Sequence, residues 1–213
     1  MEIVYIDNEI VVAVKPPRVL STDEPGGMPE LVRAYLGDAC ADVRTVHRLD
    51  RVVSGLMVLA RNAESASKLS EQIRNGDFDK TYLARVRGVT DDRGMMRDLL
   101  VRSKEERKTY VTDTPGKGVQ EAILTYETVE REDGFSVVKI RIVTGRTHQI
   151  RCQFSSRGFP IVGDRKYSLY EDDCEIMLWS HSLSFRHPSS GRPMSFTMDA
   201  PWRKHPGMYG CTE

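Results

Sequence analysis

The chain has 213 residues, 39% hydrophobic and 29% charged, which is enough apolar material for a core and too little charge bias for disorder. Its 31 basic residues balance 31 acidic ones, so the overall basicity usual in a dedicated nucleic-acid domain is absent. The longest aliphatic runs, 10–14 and 56–60, fall far short of the roughly 20 residues that a membrane span requires.

In chain order, residues 3–6 and 10–14 flank the turn pair Asp7-Asn8 and read as a hairpin, closed by Pro16-Pro17. Residues 28–36 repeat apolar positions at helical spacing and stop at Gly37. Residues 56–60 read as a buried strand. Asn62 is a candidate N-cap for a helix over 63–74, with Ala66, Leu69 and Ile73 on one face and Gly76 at its end. Residues 80–89 alternate with period two, and segments 119–131 and 135–144 flank the turn pair Asp133-Gly134. A helix is expected over 147–156, then a strand pair at 176–186 and 194–198. No repeat, low-complexity tract or linker is present. The expected fold class is α+β, a single domain over 1–213 around a mixed, largely antiparallel sheet with flanking helices.

No leader is legible in MEIVYIDNEI. The cysteines at 40, 152, 174 and 211 contain no CxxC pair, so neither a zinc site nor a disulfide framework is legible. A reduced, soluble cytoplasmic protein without membrane association is the expectation, with a monomer as the default. Charge is nonetheless segregated. Between Lys139 and Tyr167 there are seven basic residues and one acid, and between Arg44 and Arg61 four arginines and one acid. Such a neutral protein can present a local positive field, or merely solvated faces.

Two segments carry the densest chemistry. HRLDRVVSGLMVLA, from His47 to Ala60, places Asp50 between Arg48 and Arg51, where opposite charge favours the ionised carboxylate. For an isolated HxxD the plainer reading is a loop ion pair. TGRTHQIRCQF, from Thr144 to Phe154, puts Arg146 at a strand-to-helix junction, with Ile150 and Phe154 on one helical face and His148 and Arg151 on a neighbouring one. A third segment, KTYLARVRG, carries Tyr82 on a strand, where a lone tyrosine is usually a core or edge residue.

Jointly these segments resemble the RluA-type pseudouridine synthase family. The resemblance also takes in Lys15-Pro16, Gly163-Asp164 with Tyr167, and the run from Leu178 to Phe185, and covers nearly the whole chain. Arg18 departs from the pattern where glycine is usual, Val53 where threonine is usual, and Cys152 where valine is usual. The small N-terminal RNA-binding extension that many relatives carry is not expected here.

The resemblance implies an isomerase that breaks the N1–C1′ bond of a uridine in RNA, turns the uracil and rejoins it through C5. That reaction calls for no cofactor and no metal. It implies Asp50, Tyr82 and Arg146 as the catalytic set: Asp50 as the essential carboxylate, Arg146 as its cationic partner, and Tyr82 stacked on the uracil and able to help remove the C5 proton. Arg48 would fill the gap left by the flipped nucleotide, Ile150 would wall the pocket and Arg151 would contact substrate. His47 is read as a turn-stabilising residue. The expected partner is RNA, a tRNA or rRNA stem-loop, and not DNA. Two rival readings are a metal-dependent phosphodiesterase using His47, Asp50, His148, Asp164 and His181, and a catalytically silent RNA-binding module.

Overall fold

Period-two and β-branched runs at the start of the chain dictate a hairpin, and the computed structural model, which describes residues 1–204, begins with one. The elements are β1 (Glu2–Ile6), β2 (Ile10–Lys15), α1 (Met28–Leu36), β3 (Arg44–Thr45), β4 (Ser54–Ala60), α2 (Ala63–Asn75), β5 (Asp79–Arg87), β6 (Arg93–Ser103), β7 (Lys108–Thr112), β8 (Gln120–Glu132), β9 (Phe135–Ile142), α3 (Gln149–Ser155), β10 (Leu178–Arg186), β11 (Pro193–Thr197) and α4 (Pro201–Lys204). Cys211 lies outside the described residues. The described residues divide into two compact units: Met1–Lys80 with Trp179–Ala200, and Thr81–Leu178 with residues 201–204.

In the first unit, β4 is central. It pairs antiparallel with β2 along one edge and with β3 on the other, where its start also pairs parallel with β10. Side chains alternate across it. Ile10, Val12, Leu56 and Val58 pack with Leu69 of α2 and with Phe78, while Val11, Ala13, Met57 and Leu59 pack with Met28 and Val32 of α1. Both faces are therefore covered, which is why these strands read as continuous apolar runs rather than alternating ones. Each such buried side chain contributes about 1.5–3 kcal/mol, so the core fixes β4 and with it the end of the loop that precedes it. The Ser-Gly at the start of β4 has its own cause. Gly55 sits at φ 116°, and a Cβ there would lie 2.5 Å from the Ser180 carbonyl oxygen, so only glycine lets β10 approach this closely.

In the second unit the strand order is β5-β9-β8-β6-β7, antiparallel throughout. The hairpin at Asp133-Gly134 forms as expected, with Glu132 opposite Phe135. The β6–β7 hairpin was not expected from sequence. Its strands are rich in exposed charge, and its turn is made by Arg107 at φ 51° instead of the glycine or asparagine that marks such turns.

The helix expected over 147–156 is shorter, and His148 precedes it at φ 56°. Every residue from Gln149 to Phe154 is buried. Both helical faces, that of Ile150 and Phe154 and that of Arg151, are therefore buried. The observed fold class is α+β with mixed, largely antiparallel pairing.

Candidate active site

Asp50 stands on the 47–51 loop of the first unit, between the short β3 and the apolar β4. Exposure alternates along that loop: His47 and Leu49 are buried, Arg48 and Arg51 are exposed, and Asp50 is half-buried. The Asp50 carbonyl accepts the Val53 N–H at 3.0 Å, closing the turn into β4.

Three buried side chains bolt this loop to its surroundings. The Ser21 hydroxyl donates to the Leu49 carbonyl at 2.9 Å and accepts the Leu49 N–H at 3.0 Å, so both backbone groups next to Asp50 are satisfied by one atom. Lys15, fully buried at the end of β2, donates from Nζ to the carbonyls of Pro16 (2.9 Å), Val19 (2.7 Å) and Arg51 (3.1 Å). Burial pushes the Lys15 ammonium down to about 8, while the charge of Asp50 pulls it back up. His47 Nε2 accepts the Val58 N–H at 3.1 Å, which tethers the loop to β4. Burial pushes this imidazole down to about 3, so it is neutral, with its proton on Nδ1. Nδ1 has no hydrogen-bond partner among the described residues. Arg51 Nε donates to the Arg18 carbonyl at 3.0 Å, tying the 16–19 turn to the residue after Asp50.

Arg146 stands on the 144–149 segment of the second unit and is half-buried. The Gln149 side chain organises that segment. Its Oε1 accepts from the Arg146 N–H (3.0 Å) and the Thr144 hydroxyl (2.8 Å), and its Nε2 donates to the Ile123 carbonyl (3.1 Å). Arg146 Nε donates to the Glu121 carbonyl at 2.9 Å. Tyr82 is buried in β5 opposite Ile140, and Ile150 is buried at the start of α3.

Arg151 is anchored inside the second unit. Its guanidinium is buried and forms a two-pronged pair with Asp164, Nε at 2.8 Å and Nη2 at 2.7 Å, and it lies 5.1 Å from the Tyr167 ring centre. The same Asp164 carboxylate also accepts the backbone N–H groups of Lys166 and Tyr167. That makes Arg151 a brace for the 163–167 turn. The basic stretch around it is likewise partly neutralised, with Arg157 paired to Asp98 and Lys139 near Glu127.

Ser21 and Gln149 were not singled out from sequence. A lone buried serine gives no local signal, whereas the glutamine lies inside the GRTHQIR motif. Three of the five residues of the metal reading are engaged otherwise: His47 by Val58, Asp164 by Arg151, and His148 by the Tyr167 hydroxyl at 2.9 Å. Among the described residues no helix is long and apolar enough to cross a membrane.

The α+β fold thus presents an acid on a braced loop flanked by the exposed Arg48 and Arg51. Residues 9–156 match the family described as RNA pseudouridylate synthase, and the chain belongs to that family as an RNA pseudouridine synthase, an isomerase. It is of the RluA type. It is 34% identical over 209 residues to the dual-specificity RNA pseudouridine synthase RluA of Yersinia pestis, an alignment covering 94% of this chain and 99% of that one. It is 30% identical to tRNA pseudouridine synthase C of Pectobacterium carotovorum, covering 95% of this chain and 60% of the relative. The solved structure of human RNA pseudouridylate synthase domain containing 1 superposes with a TM-score of 0.81 at 25% identity, over 94% of this chain and 84% of that one.

Proposed function

We propose that this protein isomerises specific uridines in structured RNA, in tRNA, rRNA or both, without a cofactor, using Asp50 as the catalytic carboxylate. Asp50 either attacks the sugar or base covalently or takes a ribose proton. In both routes the N1–C1′ bond breaks, the uracil turns, a C5–C1′ bond forms, the C5 proton leaves to a base and N1 gains a proton, and Asp50 gives up the bond or proton it had taken. The atoms of the nucleotide are conserved, so the product has the mass of the substrate.

Tyr82 and Arg146 complete the catalytic set, the first as a flat face for uracil and the second as a cation. Arg48 takes the space vacated by the flipped nucleotide, since a guanidinium plane both stacks on bases and pairs with phosphate. Ile150 supplies the apolar wall. Arg151 is left out of the substrate contacts because its guanidinium is committed to Asp164.

The observation that carries this reading is the bracing of the Asp50 loop by Ser21, Lys15 and His47, with Arg48 exposed two residues before the acid. Three buried polar side chains spent on one short loop are what a fixed catalytic carboxylate requires. The names of the relatives, one dual-specificity and one acting on tRNA, support the choice of RNA. A cytoplasmic location fits the same substrates.

The test is conversion of uridine in bulk tRNA and rRNA, read as an alkali-resistant carbodiimide adduct without change of mass. Asp50→Asn should lower turnover to background while RNA binding persists, and EDTA should leave the wild-type rate unchanged. Full turnover by Asp50→Asn would overturn the assignment.

A further inference from the structure

Arg146 is carried by a turn. The Gln149 N–H donates to the Arg146 carbonyl at 3.1 Å, which leaves Thr147 and His148 as the two central residues. His148 sits in the left-handed region at φ 56°, where a residue with a Cβ is disfavoured, so the surrounding structure must hold it there.

Both central residues are tied from outside the turn. The Thr109 hydroxyl of β7 donates to the Thr147 carbonyl at 3.0 Å, and His148 Nδ1 lies 2.9 Å from the Tyr167 hydroxyl. The same Tyr167 oxygen accepts the Thr109 N–H at 2.7 Å, so it holds His148 directly and steadies the residue that holds Thr147. Burial pushes the Tyr167 phenol up to about 12, so it keeps its proton; the oxygen takes the Thr109 N–H and the proton is directed to His148 Nδ1. Tyr167 is itself fixed. It is buried, its carbonyl accepts the Ser155 hydroxyl at 2.6 Å, its N–H meets the Asp164 carboxylate at 3.2 Å, and its ring stands edge-on to the His148 ring at 5.6 Å between centres. Filling this space needs only a phenylalanine ring. The hydroxyl is what reaches the strained centre of the turn.

We infer that Tyr167 is a positioning residue for the isomerisation: its hydroxyl fixes His148, and with it the turn that presents Arg146. This rests on the functional reading above, in which Arg146 acts as the cation, and names a residue outside that catalytic set.

The test combines conversion of uridine in bulk tRNA, tRNA binding and thermal unfolding, with turnover measured well below every unfolding midpoint. Tyr167→Phe keeps the ring and should bind tRNA within about twofold of wild type, while kcat falls about tenfold. Ser155→Ala removes a tie of Tyr167 that does not reach the turn; it should unfold earlier yet keep kcat within about twofold of wild type. His148→Gly is at ease at this φ but gives the hydroxyl nothing to hold. Its kcat should already be low, and adding Tyr167→Phe should lower it by less than about twofold more. Wild-type kcat in Tyr167→Phe would overturn the inference, as would a loss of the same size in Ser155→Ala or in the His148→Gly background. Wild-type kcat in His148→Gly, which keeps the tyrosine, would overturn it even where Tyr167→Phe does not fold. Wild type measured alongside separates the two claims: if it converts no uridine, the functional reading fails, whereas active wild type with an unimpaired Tyr167→Phe removes Tyr167 alone.

Discussion

The Asp50 loop of the first unit is held by side chains from distant parts of the chain, whereas the Arg146 segment of the second unit, besides its bonds to Glu121, Ile123 and Tyr167, is organised by a side chain of its own. Ser21 reaches Leu49 across 28 residues, and Lys15 reaches Arg51 across 36. Gln149 reaches Arg146 across three and Thr144 across five, and adds one distant contact to β8. The difference has a physical consequence. A loop braced from afar acquires its geometry only when the surrounding core has formed, so its order is tied to the stability of its whole unit. A segment braced from within depends mainly on one side chain of its own motif. Substituting the braces tests that contrast.

The largest effect is expected at Lys15. Lys15→Met leaves three carbonyls without their donor, at about 1–3 kcal/mol for each buried group left unsatisfied, so urea unfolding should show a loss on the order of 3 kcal/mol or more. A loss near zero would show that distant bracing does not hold the loop. The pH dependence sharpens the point. Burial holds the folded-state value at about 8, below the ordinary 10.5, so folding favours the neutral amine. Stability should therefore rise with pH between about 8 and 10.5, because the unfolded chain binds the extra proton there. Turnover should move the other way. The neutral amine has only two N–H groups for three carbonyls and no charge beside Asp50, so kcat should fall as pH rises through about 8. A kcat profile that follows stability upward would exclude Lys15 as the brace.

The same contrast explains how much could be read in advance. The β1–β2 hairpin, both long helices and the β8–β9 turn follow from local periodicity and caps, and they form where expected. Asn62 caps α2 by accepting the Ser65 N–H at 2.8 Å, as its position suggested. The β6–β7 hairpin was hidden because an arginine makes its turn and its strands expose charge. The burial of Arg151 was not legible, because a charged residue in a short helix reads by default as exposed. Ser21 could not be found at all, since its importance lies in a contact 28 residues away that no local pattern encodes. The bracing residues inside the motifs, Lys15, His47 and Gln149, lay within legible segments, whereas Ser21, outside every motif, did not.

Gln149 should come next in size. Gln149→Met keeps the volume but strips the Arg146 N–H and the Thr144 hydroxyl of their acceptor and the Ile123 carbonyl of a donor, about 2 kcal/mol in chemical denaturation. If the Arg146 segment is braced from within, kcat should drop while the falling limb near pH 8 stays in place. Loss of that limb would mean that the two segments are not separately held. Ser21→Ala should be smaller again, about 1–2 kcal/mol, because only the paired groups of Leu49 lose their partner. Its kcat should fall more than its KM rises, and Ser21→Thr should recover part of the rate.

The smallest effect at neutral pH is expected at His47, and it changes with pH in a way the others do not. The imidazole accepts the Val58 N–H while neutral, and burial holds its folded-state value at about 3, well under the ordinary 6.5. Its contribution is therefore fully present above pH 6.5 and is lost progressively as pH falls towards 3, because the unfolded chain takes up a proton that the folded one refuses. His47→Gln retains a side-chain oxygen for Val58 but does not titrate. At pH 7 the variant should be less stable by about 1 kcal/mol. Between pH 6.5 and 4 the gap should close and then reverse, by up to about 1.4 kcal/mol per pH unit. Unfolding curves of the two proteins across that range decide the matter, and parallel curves would show that His47 is not held neutral against β4.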